Sequence, residues 1–340
     1  MCPKNICRQN LKKILIIGGD TVADNLLLAP AVRRVKEVFP HALIDIIAGE
    51  ASSEFVHGNP LFSGYVLRGG KHKIPGLIKK TREKRYDLII AFRDFFLPFF
   101  LRGKFKLSFF WQDFFSEKVF THESERVLNF LEPFAGEGKS KTDFYFPVSR
   151  KNRESVEEHM KPLAVKNSDT VVIINPGFDS ARKRWPHMNY AVVANELVRS
   201  YDARIIFTGK QEDKSIIREI MSEVGGNNAY DFSGRFTLRE IAALLERADL
   251  LIAQDTALMY LASSVRCSAV CIFGPGNPYR YGPLGTKNLA VHGNLGCFPC
   301  DPNLRCQNKY LCLEKISTGQ VAKSAMLLLD EKEQPLLFDL

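Results

Sequence analysis

Asp255-Thr256 follows directly on the apolar run Leu250-Leu-Ile-Ala253 and leads into the small, apolar segment Ala257-Leu-Met-Tyr260-Leu-Ala-Ser263. This order sets a carboxylate, a hydroxyl and the first N–H groups of a helix at the carboxyl end of a strand. Open α/β sheets hold phosphates and nucleotides at such a place. Thr256 and the amides after it can grip a diphosphate, and Asp255 can orient them or bond a sugar hydroxyl. The same residues also describe an Asp-Thr helix cap with no ligand.

Three further loops carry comparable groups just past a strand pattern. Asn175-Pro-Gly-Phe-Asp-Ser180-Ala-Arg182-Lys183-Arg184-Trp185-Pro186 combines a glycine turn, a hydroxyl and three consecutive cations. Lys and Arg neutralise phosphate, and Ser180 adds a hydrogen bond; the alternative is a solvated charge run. Gly18-Gly-Asp-Thr-Val-Ala-Asp24 offers a carboxylate at a helix start, where the dipole favours its ionised form. Asp24 is thus either a cap or a general base. Thr208-Gly209-Lys-Gln-Glu212 offers an acid for ribose hydroxyls, or simply an acid in a first helical turn.

The elements that must position these loops alternate in type. Strand patterns at 13–17, 42–47, 63–67 and 86–91 are separated by helical ones at 26–38, 52–59 and 73–84. After a polar, glycine-containing stretch at 135–141 and a helix at 153–159, the alternation restarts. Strands at 170–175, 203–208, 250–253 and 268–273 are interleaved with helices at 189–200, 213–224 and 238–246, and a closing helix spans 318–330. Strand–helix alternation implies parallel sheets covered on both faces. At 340 residues, two such domains are expected. The boundaries suggested are 1–160, 161–316 and a C-terminal helix and tail at 317–340.

Composition narrows the class. With 45% hydrophobic and 25% charged residues, the chain reads as globular. No run reaches the roughly 18 apolar residues of a membrane span. The first apolar stretch, Ile14–Ile17, is too short for a signal-peptide core, so a cytoplasmic location is expected. The net charge of +9 is uneven: residues 1–150 hold 24 Lys and Arg against 16 Asp and Glu, netting +8, and the remainder nets +1. The first half should attract an anionic partner. Aromatics crowd Phe95–Leu101 and Phe109–Phe115, interrupted by Arg102, Lys104 and Lys106. That stretch is either buried core or a surface that meets a lipid interface. No nucleic-acid-binding module is present to support a nucleic-acid partner. The lack of a G-x-G-x-x-G fingerprint argues against a nicotinamide-dependent dehydrogenase.

Taken in order, Ala23-Asp24, Pro30-Ala31, Pro176-Gly177, Lys183-Arg-Trp-Pro186, Gly209-x2-Glu212, Ser233-Gly-x2-Thr237-Leu238, Asp255-Thr256-x3-Tyr260-Leu-Ala262, Phe273-Gly-Pro275 and Gly282-Pro283 resemble glycosyltransferase family 9, the lipopolysaccharide heptosyltransferases. The likeness runs from about residue 13 to 330. It implies a GT-B fold, with two Rossmann-like domains facing a central cleft, the nucleotide-sugar on the second and the acceptor on the first. It implies inverting, metal-independent transfer with no required cofactor: ADP-heptose is the donor and an anionic lipopolysaccharide inner-core glycolipid the acceptor. The lipid-facing reading of the aromatic stretch adds an expected peripheral contact at the inner membrane. Asp24 matches the catalytic base, and Lys183 and Thr256 the groups that meet the leaving diphosphate. Glu212 matches the ribose-binding acid. Two positions depart from the usual Asp-Thr-Gly-x-x-His: Ala257 stands for the Gly and Tyr260 for the His. These departures keep open a non-catalytic or differently specific nucleotide-sugar-binding protein.

Cys297, Cys300, Cys306 and Cys312 form a C-x2-C-x5-C-x5-C cluster, which also resembles one found in part of that family. Four thiolates at this spacing can hold a structural Zn²⁺. A disulfide or free structural thiols are the other readings, and a disulfide is disfavoured in a reducing compartment.

Overall fold

The computed structural model describes residues 10–69, 74–94, 96–109, 121–135, 144–166, 168–177, 184–285, 287–297, 300, 306, 308 and 310–333. The chain divides into two compact units, Met1–Pro147 and Val148–Leu340. Each is an α/β layer structure around one parallel sheet.

In the first unit, strands β1 (Lys13–Ile17), β2 (Leu43–Gly49), β3 (Gly64–Arg68), β4 (Tyr86–Ala91) and β5 (Gly103–Ser108) alternate with helices α1 (Val22–Val38), α2 (Ser53–Val56), α3 (Ile74–Arg82), α4 (Leu97–Phe100) and α5 (Glu123–Ala135). The strand order is β3-β2-β1-β4-β5. Ile17 registers with Ile47 on one side and Ala91 on the other. Ile14 to Ile17 are wholly buried, as an unbroken apolar run in a sheet covered on both faces should be. One face packs Leu15, Ile17, Ile47, Ile89 and Ala91 against Leu97 and Leu101.

In the second unit the strands are β6 (Val171–Asn175), β7 (Arg204–Phe207), β8 (Ala229–Asp231), β9 (Leu250–Gln254), β10 (Ser268–Phe273) and β11 (Asn288–His292). The helices are α6 (Arg150–Met160), α7 (Met188–Tyr201), α8 (Lys214–Ser222), α9 (Leu238–Leu245), α10 (Ala257–Val265), α11 (Pro278–Tyr281), α12 (Leu311–Glu314) and α13 (Thr318–Glu333). The order is β11-β10-β9-β6-β7-β8, all parallel. No helix among the described residues is long and apolar enough to cross a membrane.

The division between units falls before helix α6. The reason is packing. Arg153 pairs with Glu246 at 2.6 Å, Ser155 Oγ donates to Glu240 at 2.7 Å, and the His159 ring meets Phe236. All three partners lie in or beside α9. Helix α13, expected as a separate tail, buries Val321, Ala322, Ala325, Leu328 and Leu329 in the same core as β6, β7 and α7.

Both sheets reverse their winding at one point. In the first, the chain goes outward from β1 through β2 and β3, then returns to the other side of β1 with β4. In the second, it goes outward from β6 through β7 and β8, then returns beside β6 with β9. Loops leaving the carboxyl ends of β1 and β4, and of β6 and β9, diverge there and leave a crevice, where such sheets bind ligands.

Candidate functional site

At the switch point of the first sheet stands Asp24. Thr21 is the N-cap of α1, and Asp24 completes its capping box. Asp24 Oδ2 accepts from Thr21 Oγ1 at 2.7 Å and from Thr21 N at 3.3 Å. The cap is therefore real, but it uses one carboxylate oxygen. The other, Oδ1, lies 3.7 Å from Arg93 Nε, past β4, and the side chain is 34% exposed. Gly19 makes this possible: a Cβ there would run into the Asp24 side chain. Asn25, fully buried, ties down the turn, accepting from Gly19 N at 3.0 Å and donating to Gly19 O at 3.0 Å and Ser52 Oγ at 2.8 Å.

Ion pairs tie together the loops that follow β1 and β4. Arg68, the last residue of β3, donates to Asp20 Oδ1 at 2.7 Å, Asp94 Oδ2 at 2.8 Å and the Gly18 carbonyl at 3.2 Å. Arg93 Nη1 donates to Glu123 Oε1 at 2.7 Å, and Arg126 meets the other Glu123 oxygen at 3.1 Å. Glu123 is completely buried, and a buried carboxylate requires such partners. The Arg93 Nε, also buried, makes no hydrogen bond. Its charge stands beside Asp24 without sharing a proton.

At the switch point of the second sheet, Thr256 is the N-cap of α10 and its hydroxyl accepts from Leu258 N at 3.4 Å. Asp255 is half-buried and its N–H donates to the Ile272 carbonyl at 3.1 Å. Ala257 opens the helix. Gly177 has φ +45°, a conformation that favours glycine, and a Cβ there would lie 3.5 Å from the Thr256 methyl. The turn after β6 thus packs on Thr256. Ser180 and Lys183 lie outside the described residues, but both ends of their loop are fixed. Gln254 Oε1 accepts from Trp185 N at 3.0 Å, and its Nε2 donates to the Gly177 carbonyl at 2.7 Å and to the Pro176 carbonyl. Trp185 is wholly buried, edge-on to Tyr190, and donates from Nε1 to the Ile316 carbonyl at 2.9 Å. Glu212 is exposed in the turn Gln211–Asp213 after β7, next to β6 in the sheet.

Tyr260 is different. It is buried, and its hydroxyl donates to the Tyr281 carbonyl at 2.7 Å. That bond spends its hydroxyl hydrogen on fastening α10 to α11.

The fold therefore gathers Asp255, Thr256 and Ala257 with Gly177, sets Glu212 at the end of the strand beside β6, and holds Asp24 at the switch point of the first sheet. Sequence reasoning missed Asn25, Arg68, Arg93 and Gln254. Their position beside strand ends is a signal, but each role depends on partners distant in the chain.

The four cysteines gather around α12. Burial raises the Cys300 thiol above its ordinary value, and neighbouring Cys297, Cys312 and Cys306 add to the rise. Cys312 is raised by burial, with Cys306 and Cys297 adding to the effect against opposing backbone hydrogen bonds. Asn308 Nδ2 donates to Cys297 Sγ at 3.3 Å, and Tyr310 N to Cys306 Sγ at 3.3 Å. The thiols are neighbours, yet among the described residues no three His, Cys, Asp or Glu side chains are set to hold a metal ion. Metal ligands must converge within bonding distance, whereas mutual electrostatic influence reaches further.

Two parallel sheets in tandem, each with a switch point at the carboxyl ends of its strands, are the two halves of a GT-B fold. The family model for glycosyltransferase family 9 (heptosyltransferase) matches residues 75–311. The chain is 25% identical over 339 residues to lipooligosaccharide heptosyltransferase 2 of Campylobacter jejuni, covering 93% of this chain and 98% of that one. The glycosyltransferase family 9 structure from Veillonella parvula superposes with TM-score 0.80 at 22% identity, covering 94% and 98%. E. coli ADP-heptose lps heptosyltransferase II superposes with TM-score 0.74 at 18% identity, covering 95% and 100%. The chain belongs to glycosyltransferase family 9 and is a glycosyltransferase.

Proposed function

We propose that this enzyme transfers heptose from ADP-heptose to a lipopolysaccharide or lipooligosaccharide inner-core acceptor, with inversion at the anomeric carbon, at the cytoplasmic face of the membrane. The names of its relatives support the sugar and the acceptor class. The observation that carries the mechanism is Asp24: a carboxylate at a sheet switch point, 34% exposed, with one oxygen committed to the helix cap and the other beside Arg93.

In this reading Asp24 Oδ1 takes the proton of the acceptor hydroxyl as that oxygen attacks the anomeric carbon. The carbon–oxygen bond to the diphosphate breaks on the opposite face. Lys183, Ser180, Thr256 and the first amides of α10 receive the negative charge that develops on the leaving group. Glu212 accepts from the ribose hydroxyls, and Asp255 steadies the Thr256 turn from beside Gly276. Fixed cations replace a metal, so chelation with EDTA should leave turnover unchanged; loss of turnover restored by a divalent ion would end that part of the reading.

Ala257 and the engaged Tyr260 hydroxyl favour a second reading, a family member with another donor. A calorimetric panel of ADP-heptose and ADP-, GDP-, UDP- and dTDP-hexoses separates the two. Tightest binding of ADP-heptose is expected. Preference for another base or sugar moves the chain to a different transfer step.

A further inference from the structure

We infer that α4 and the neighbouring edge strand β5 form a docking surface for an anionic lipid bilayer. Helix α4 is one turn long. Its Leu97 and Pro98 face inward, while Phe96, Phe99 and Phe100 are 70%, 66% and 53% exposed. They account for three of the ten large exposed hydrophobic residues among the described residues, within five consecutive positions. Water-exposed apolar groups this concentrated mark an interaction site.

Cations border the aromatic group. Arg82 of α3 donates from Nε to the Phe100 carbonyl at 2.9 Å, which brings that basic helix to α4. Lys79, Arg82, Arg102, Lys104 and Lys106 are all exposed. Of the acids in the same stretch, Asp94 is engaged by Arg68, and Asp87 accepts from the N–H groups of Lys12 and Lys13 at the other end of β1. That leaves Glu83 as the exposed acid between residues 79 and 106. Lysines on an edge strand also deter sheet-to-sheet pairing, which accounts for Lys104 and Lys106 but not for the phenylalanines. Exposed aromatic rings with cations in the same stretch fit a bilayer whose headgroups are negative: the rings sink to the acyl boundary and the cations meet phosphate. Asp94 Oδ1 caps this turn, accepting from Phe96 N and Leu97 N, one residue beyond the Arg93 that stands at Asp24. Docking at this surface would bring the Asp24 edge to a lipid-borne acceptor. Only that purpose rests on the proposed function; the surface itself does not.

The test uses the full chain and acceptor-free vesicles, so it is independent of transfer. Co-sedimentation is measured with phosphatidylcholine vesicles, with and without phosphatidylglycerol. Binding is expected with phosphatidylglycerol and should weaken sharply without it. The Phe96→Ser/Phe99→Ser/Phe100→Ser variant should lose about tenfold or more. Arg102→Gln/Lys104→Gln/Lys106→Gln should lose on the order of fivefold per cation, only on anionic vesicles. As a check that does not remove the patch, Phe99→Trp should show a blue shift in fluorescence on adding anionic vesicles, beyond that of the parent protein. The proposal is overturned if the parent protein stays in solution, if the triple Ser variant binds as the parent does, or if the Trp emission is unmoved. It is also overturned if light scattering shows that the triple Ser variant dissociates a dimer while vesicle binding persists.

Discussion

The two sheet edges solve the same positioning problem with different materials. Around Asp24 the structure is held by charge: Arg68 clamps Asp20 and Asp94, and buried Glu123 holds Arg93 and Arg126. Around Thr256 it is held by backbone contact: Gln254 reaches three main-chain atoms, Gly177 closes on the threonine, and Trp185 locks into the core. In the proposed reading the charged side is the one that meets the acceptor. The backbone edge suits a diphosphate that must be gripped by N–H groups and a few cations. One edge should be sensitive to salt and proton chemistry, the other to packing.

The largest expected effect comes from Asp24→Asn, which preserves size and a cap acceptor. Transfer should fall about 10²–10⁴-fold, with donor affinity by calorimetry within about twofold of the parent protein, since the donor edge is elsewhere. If transfer survives, the charged edge has no catalytic role and the contrast collapses. Trp185→Ala comes next. Removing a wholly buried Trp should cost about 3–5 kcal/mol in urea unfolding and should weaken donor binding; full stability would show that the loop anchor is not packing. Gln254→Leu keeps bulk but leaves Trp185 N and two carbonyls without their side-chain partner. A buried group left so costs about 1–3 kcal/mol, and donor KM should rise more than kcat falls. An effect on kcat alone would move Gln254 from positioning the loop to something nearer the chemistry. The smallest effect is salt. Raising ionic strength from about 0.1 to 1 M shortens the screening length from about 10 to 3 Å. Acceptor KM should then rise several-fold while donor KM changes little, and an equal rise in both would erase the distinction.

What is legible in the chain follows the same division. The interior strands β1, β2, β4, β6, β7, β9 and β10 are apolar runs, and their patterns anticipate them within a few residues. The strands overlooked, β5, β8 and β11, all lie at sheet edges. Gly103-Lys-Phe-Lys-Leu-Ser108 carries lysines, Ala229-Tyr-Asp231 is three residues long, and Asn288-Leu-Ala-Val-His292 mixes polar ends with an apolar middle. Edge strands are half-solvated and short, so pairing partners decide them more than their own residues do. Asp24 and Thr256 could be found because helix starts after strands are local features. Gln254 could not, since its partners lie 69 to 78 residues away. Arg68 reads as one of a basic run, and only the fold sets it across three acceptors from two loops.

The hydrogen bond from Trp185 to Ile316 spans 131 residues, and that distance has a consequence in time. Ribosomes add roughly 5–20 residues per second, so this anchor forms on the order of 7–26 s after Trp185 is made. By then the first unit has long been free to fold with Asp24 in place. An unfinished chain can therefore have its first unit complete while Trp185, already within reach of Gln254, still waits for its Ile316 partner.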